Sequence, residues 1–371
     1  MNFSFTEEQE ELRKSIKRFL EDKCSMSTVR TLMETEDGFD KDVWTQMGTQ
    51  LGLQGIAIPE EYGGSGFSYV ELLVIFEELG RTLACVPFFS TVGLAVSTLL
   101  TCDDEDAKKE YLSQIASGEK VATLAISEDS GRFDSEGISL SAKKDGDKYV
   151  LSGHKSFVVD GTTADFILVV AKSDKGISLF AVDSVANGLS KESLATMDQT
   201  RKQARLEFNN TEARLIGKEG QAWKNIEKAL DLAAVCLTAE QVGGAQVCLD
   251  TSVEYAKNRI QFGRPIGSFQ AIKHKCADML LQVESARSAA YYAAWAAQED
   301  SDELPVVSSL AKAFCSEAFF HCAAENIQIH GGIGFTWEHD AHLYFKRAKS
   351  SELMLGDPSY HRELMLQRLG I

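Results

Sequence analysis

The chain is poor in the features that would mark several protein classes. Its eight cysteines, at 24, 85, 102, 236, 248, 276, 315 and 322, include no C-x-x-C pair and lie mostly in apolar, helix-patterned contexts. They read as buried free thiols in a reducing cytoplasm rather than as a disulfide or metal framework. Positive charge is scarce as well. With 38 Lys and Arg against 55 Asp and Glu, the net charge is −17, which disfavours nonspecific binding to nucleic acid or to an anionic membrane. No uninterrupted apolar run reaches membrane-spanning length. The opening MNFSFTEEQEELRKSIKRFL lacks the basic, apolar and small-residue order of a signal peptide. Histidines 274, 321, 330, 339, 342 and 361 form no H-E-x-x-H, so no metal site is expected. No G-x-G-x-x-G follows a strand, and Gly63-Gly64-Ser65-Gly66 lacks the flanks of a P-loop. A Rossmann unit is therefore not expected.

What is present is an ordinary globular composition, 44% hydrophobic and 25% charged, which excludes global disorder. Three blocks follow one another: helical, β and helical. Residues 1–118 carry helical periodicity. Thr6 and Gln9 read as a capping box opening the first helix, and SYVELLVIFEELGRTL (Ser68 to Leu83) keeps its apolar residues on one stripe. Residues 119–215 change to short runs rich in β-branched residues: VATLAI, KYVLSG, DFILVV, GISLFAV and ARLEFNN. Lys144-Asp145-Gly146-Asp147 suits a hairpin turn. This block is expected to be a small antiparallel barrel or sandwich. Residues 216–371 return to long helices with little polar surface, a pattern that predicts a bundle with an oligomer interface. Within it, Gly243-Gly244 interrupts the longest helical pattern.

Three C-terminal stretches invite chemistry. In KNRIQFGRPIGSFQAIKHKCADM, Arg259 is placed at a helix end to hold a phosphate bidentately, with Gln261 and Gln270 as neutral hydrogen-bonding groups. In NIQIHGGIGFTWEHDAHLYFKRA, Gly331, Gly332 and Gly334 allow close backbone approach, and their N–H groups suit an anion. Alone, each stretch reads equally as a tight helical corner. In LMLGDPSYHR, Gly356 suits a position just past a helix, Asp357 an N-cap and Pro358 a first helical position. Asp357 therefore reads as punctuation between helices.

Taken in order, FTEEQ, PEEYGGSGF, EELGR, the β-block, R-x-x-FGRPIGSFQ and Q-I-H-G-G-x-GFTWE resemble an acyl-CoA dehydrogenase nearly from end to end. The resemblance implies an α+β multi-domain fold: an N-terminal helical domain (1–118), a central antiparallel β-barrel or sandwich (119–215) and a C-terminal four-helix bundle (216–371). It also implies tetramers, non-covalent FAD, an acyl-CoA substrate and an electron-transfer flavoprotein as acceptor. In that family a glutamate takes the acidified α-proton of the thioester while the flavin accepts the β-hydride. The base must lie within hydrogen-bond reach of that proton.

The chain departs from the family's pattern at its own site. Counted from Arg347-Ala348-Lys349, the expected base position holds Leu355. The alternative family position, on the long helix, falls at Ala233 or Ala234. Two carboxylates remain as fallback bases. Asp357 stands two residues late on a turn, and Glu240 is about 10 Å along the helix from Ala233 at 1.5 Å per residue. The family's T-E-P-x-x-G-S-D segment reads SEDSGRFD, and its W-I-T reads FVV. Ser127 and Phe157 are left as the candidates there for cofactor contact. By contrast, the residues through which the family grips a neighbouring subunit's FAD are matched by Arg259, Phe262, Gln270, Gln328, Gly331 and Gly332. The resemblance thus implies a subunit without a catalytic residue of its own, completing the FAD site of a Glu-bearing paralogous partner in a hetero-oligomer. A self-sufficient homotetramer and a non-catalytic scaffold are the alternatives.

Overall fold

A computed structural model describes residues 5–146 and 148–371. Eleven α-helices and nine strands are formed among them. In chain order they are α1 (Glu7–Lys23), α2 (Met26–Met33), α3 (Lys41–Thr49), α4 (Tyr69–Thr82), α5 (Ser97–Thr101) and α6 (Glu105–Ala116). Then come β1 (Ala122–Ala125), β2 (Ser141–Asp145), β3 (Lys148–Val159), β4 (Phe166–Ser173), β5 (Gly176–Asp183), β6 (Leu189–Ser193) and β7 (Gln203–Ile216). The last group is α7 (Trp223–Asn258), β8 (Ile260–Gln261), β9 (Arg264–Pro265), α8 (Gln270–Gln298), α9 (Leu304–His330), α10 (Ala341–Leu353) and α11 (Pro358–Arg368).

By packing, the chain forms two units. The first comprises residues 1–30, 69–84 and 234–371, so α1 and α4 belong with the bundle helices rather than with the rest of the N-terminal block. The reason is a buried charge network: Arg13 of α1 reaches Glu77 and Glu78 of α4, each at 2.9 Å, and Tyr291 of α8 donates to Glu77. The capping box is formed, with Thr6 and Gln9 each bonding the other's backbone N–H.

The second unit, residues 31–68 and 85–233, holds the sheet. Its order is β1-β4-β2-β3-β7-β5, and β5 also pairs with β4, which closes five strands into a barrel. Most pairings are antiparallel, as the alternating runs predict, but β1 runs parallel to β4. β4 is paired along both edges, and its continuous FILVVA run is buried throughout, as for a strand covered on both faces. At the predicted hairpin Asp145 pairs with Lys148 and Gly146 has φ +60°. Asp147 lies outside the described residues.

The longest helix is not interrupted at Gly243-Gly244: α7 runs through both. Those glycines serve close packing instead. A Cβ on Gly243 would stand 1.9 Å from the carbonyl oxygen of Glu77, and one on Gly80 would stand 2.0 Å from that of Glu240. Helices α4 and α7 therefore touch backbone to backbone. Alanine is the better helix former by about 1 kcal/mol, yet Gly243→Ala should lower stability by about 1–3 kcal/mol, because the obstacle is main chain and cannot rotate away. A urea melt reads this, and an unchanged midpoint would mean that the two helices are not in contact. α7 is long and apolar enough to cross a membrane by length and composition, but 89% of its most apolar window is buried in protein, as in a bundle core.

Candidate functional site

At the end of α7, Phe262 and Gly263 both take positive φ (52° and 75°), the geometry of a two-residue hairpin turn between β8 and β9. The hairpin folds back through a 2.8 Å bond from Ile266 N–H to the Arg259 carbonyl. This leaves residues 257–265 exposed, with Phe262 91% accessible at the tip. Among the described residues, the side chains of Arg259, Gln270 and Gln328 make no hydrogen bond or ion pair. The arginines inside the same unit behave differently: Arg13, Arg287 and Arg347 are all engaged by carboxylates.

The end of α9 is fixed to the same end of the bundle. Ser252 of α7 donates to Asn326 Oδ1 at 2.9 Å, and the Tyr255 and His330 rings lie 4.2 Å apart. Lys275 of α8 pairs with Glu325. The His330 ring lies tilted against that of His339 at 4.4 Å, and burial holds the His330 pKa below the ordinary value, so His330 is a packing group. Gly331 follows at φ +64°, and a Cβ on Gly331 or Gly332 would meet nothing within 4 Å. The bundle thus gathers exposed donors and two open glycine backbones at one end. A phosphate group can use exposed cationic and amide side chains together with close backbone approach. The Gly331 N–H itself is taken by the Gln328 and Ile327 carbonyls, so the fit to the pyrophosphate half of a dinucleotide rests on the side-chain donors and on the room the glycines leave.

In the sheet unit, Ser127 and Phe157 lie side by side, since the Ser127 carbonyl accepts Ser156 N–H at 2.9 Å. Phe157 sits on a bulge of β3 at φ +59° and is 53% exposed. Beneath them Lys155, fully buried, contacts Glu128 at 2.8 Å, and burial pushes its pKa down to about 8 despite that partner. Asp129 is taken up by Ser156 at 2.6 Å and Arg205 at 2.8 Å. The Lys155–Glu128 pair escaped sequence reading because the two residues stand twenty-seven apart, and only the fold shows them to be neighbours.

The turn after α10 places Leu355, buried, at φ +62°. Asp357 Oδ1 accepts Tyr360 N–H at 2.8 Å and Pro358 opens α11, so this carboxylate caps a helix. Glu240 is buried and ion-paired with Arg347 of α10 at 3.1 Å. Neither Arg347 nor Lys312, which is wholly buried under the same turn, was singled out from the sequence. For Lys312 the signal available was a charge inside a largely apolar run, PVVSSLAKAFCSEAFF.

Comparison with known proteins is consistent along the whole chain. The N-terminal domain of acyl-CoA dehydrogenases matches residues 6–119, the middle domain residues 123–211 and the C-terminal domain residues 220–370. The chain belongs to the acyl-CoA dehydrogenase family, flavin-dependent oxidoreductases that act on CH–CH bonds. Among relatives, it is 36% identical over 352 residues to acyl-CoA dehydrogenase IpdE2 of Mycobacterium tuberculosis, covering 95% of this chain and 94% of that protein. Among solved structures, it matches the ChsE4–ChsE5 complex from Mycobacterium tuberculosis with a TM-score of 0.91 at 29% identity, over 100% of this chain and 99% of that one. Butyryl-CoA dehydrogenase from Megasphaera elsdenii matches with a TM-score of 0.92 at 27% identity, over the full length of both.

Proposed function

We propose that this chain is the base-less subunit of a hetero-oligomeric, FAD-dependent acyl-CoA dehydrogenase and that it completes a partner subunit's FAD site. One contrast carries the reading. The donors Arg259, Gln270 and Gln328 stand exposed and unengaged beside the open Gly331–Gly332 backbone, while position 355 is an apolar leucine. The two fallback carboxylates are committed elsewhere, Asp357 to a helix cap and Glu240 to a buried arginine. A bound flavin supplies hydride acceptance, and the chain's own residues supply phosphate binding and orientation. The likeness to one chain of a two-component complex supports a heteromeric assembly. On this reading the substrate is an acyl-CoA, an electron-transfer flavoprotein reoxidises the cofactor, and the work is done in the cytoplasm. The domains run 1–118, 119–215 and 216–371.

The test is flavin stoichiometry. Purified alone, the chain should retain little FAD and show no dehydrogenation. Co-purified with a Glu-bearing paralogue, it should carry about one flavin for every two chains, with turnover. Full flavin occupancy and turnover by the isolated chain would refute the proposal.

A further inference from the structure

The segment that carries Gly331 and Gly332 joins α9 to α10 over residues 331–340, and from 331 to 338 it buries only Gly334. Ile333, Phe335 and Trp337 stand 50%, 80% and 51% exposed, so burial of apolar side chains does not set its course. Polar contacts do so at its far end. Arg30, on α2 and within the first unit, donates its Nε–H at 3.0 Å and one Nη–H at 2.8 Å to Asp340 Oδ1. The same terminal nitrogen donates to the His339 carbonyl at 3.1 Å. One guanidinium thus fixes a side chain and the adjoining main chain together.

The arginine fork suits this task. Its N–H groups lie in one rigid plane and present fixed directions to both acceptors, whereas an ammonium carries the charge without the directions. Trp337 adds a second hold. His342 stacks on its ring at 4.9 Å and 25°, and His342 Nε2 lies 3.2 Å from its carbonyl oxygen. Lys346 Nζ and Arg30 Cζ lie 4.8 Å and 5.9 Å from the ring centre. An indole engaged by so many groups of its own chain is a fastening for the segment rather than a surface for a ligand ring. The hold at His339 reaches back to α9 through the His330–His339 ring contact, and His330 is the residue before Gly331.

We propose that Arg30 is a positioning residue for the shared flavin site: by clamping His339 and Asp340 it fixes the segment whose Gly331–Gly332 corner receives the partner's pyrophosphate. The inference rests on the shared-flavin reading above and adds to it a residue 310 positions away from Asp340 in the chain. Arg30 acts through the segment, not on the cofactor. Without the clamp the segment keeps its ends on α9 and α10 but loses its fixed course between them. Its ordering must then be supplied at each binding event, which weakens affinity for the dinucleotide. The fold itself stays, because the segment contributes almost nothing to the buried core.

Two measurements on the full-length chain test the clamp. In the isolated chain, hydrogen exchange read by mass spectrometry on peptides spanning residues 331–340 should show about three- to tenfold less protection in Arg30→Met, with α8 peptides unchanged. In the co-assembled enzyme the same variant should raise the dissociation constant for FAD by about three- to tenfold, and Arg30→Lys should recover only part of the loss. Asp340→Asn weakens the same contact from the other side. Combined with Arg30→Met it should add little, as expected of two partners in one interaction. Unchanged protection at 331–340 overturns the proposal. So does reduced protection with unchanged flavin affinity where Arg259→Ala weakens binding. Affinity unchanged in both the Arg30 and the Arg259 variants overturns the shared-flavin reading, and the positioning role falls with it.

Discussion

Arg347→Met is expected to destabilise the chain by about 3–5 kcal/mol, because it leaves the Glu240 carboxylate buried without the cation that contacts it. Glu240 and Arg347 are 4% and 2% exposed, and their 3.1 Å contact joins the middle of α7 to α10. Removing only the arginine takes away the ion pair that offsets the burial of that carboxylate. Replacing both partners, in Arg347→Met/Glu240→Leu, should recover most of the loss, since a buried pair gives little net stability over an apolar pair of similar volume. Urea unfolding of the single and double variants measures the coupling. A loss below about 1 kcal/mol for Arg347→Met would show that Glu240 does not depend on that arginine, and would return it to consideration as a candidate base. Glu240→Gln should also lower stability, since it leaves Arg347 without this carboxylate, but turnover per folded co-assembled enzyme should be unchanged, because a carboxylate locked in this pair is not available to accept a substrate proton.

The legibility of this chain followed the range of the interactions. Helices and strands with their own periodicity were visible in the sequence: the Thr6–Gln9 box, the α4 stripe, the FILVVA strand and the Asp357-Pro358 helix start each depend on residues within a few positions. Gly243-Gly244 was misleading, because glycine in a helix signals a break only if nothing packs there. Here the partner is the Glu77 carbonyl, more than 160 positions away. The grouping of α1 and α4 with the bundle was hidden for the same reason, since Arg13 declares nothing about Glu77 until both are folded. At the candidate site the motif order pointed to Arg259, Gln270, Gln328 and the glycines. The groups that fix the turn at 355, by contrast, are a lysine and a histidine whose roles rest entirely on burial and on three carbonyl oxygens.

Arg259→Ala in the co-assembled enzyme should raise the dissociation constant for FAD by about ten- to a hundredfold, while the isolated chain keeps its fold. A charge-assisted hydrogen bond to phosphate contributes about 1.5–3 kcal/mol, which corresponds to that range. The folded chain loses nothing by the change, because Arg259 is exposed and, among the described residues, engages no carboxylate of its own. Gln328→Ala removes a neutral bond worth about 0.5–1.5 kcal/mol and should cost only a few-fold. Arg259→Lys should fall between wild type and alanine, since lysine keeps the charge but not the bidentate fork. Arg18 on α1 is a fair control: it too is exposed and has no ion-pair partner among the described residues, and Arg18→Ala should leave flavin binding untouched. Flavin titration followed by fluorescence quenching separates these outcomes. Equal affinities for the Arg259 and Arg18 variants would mean that the open corner of the bundle is not a dinucleotide grip. In that case the absence of a base at position 355 would mark a scaffold rather than half of a shared active site.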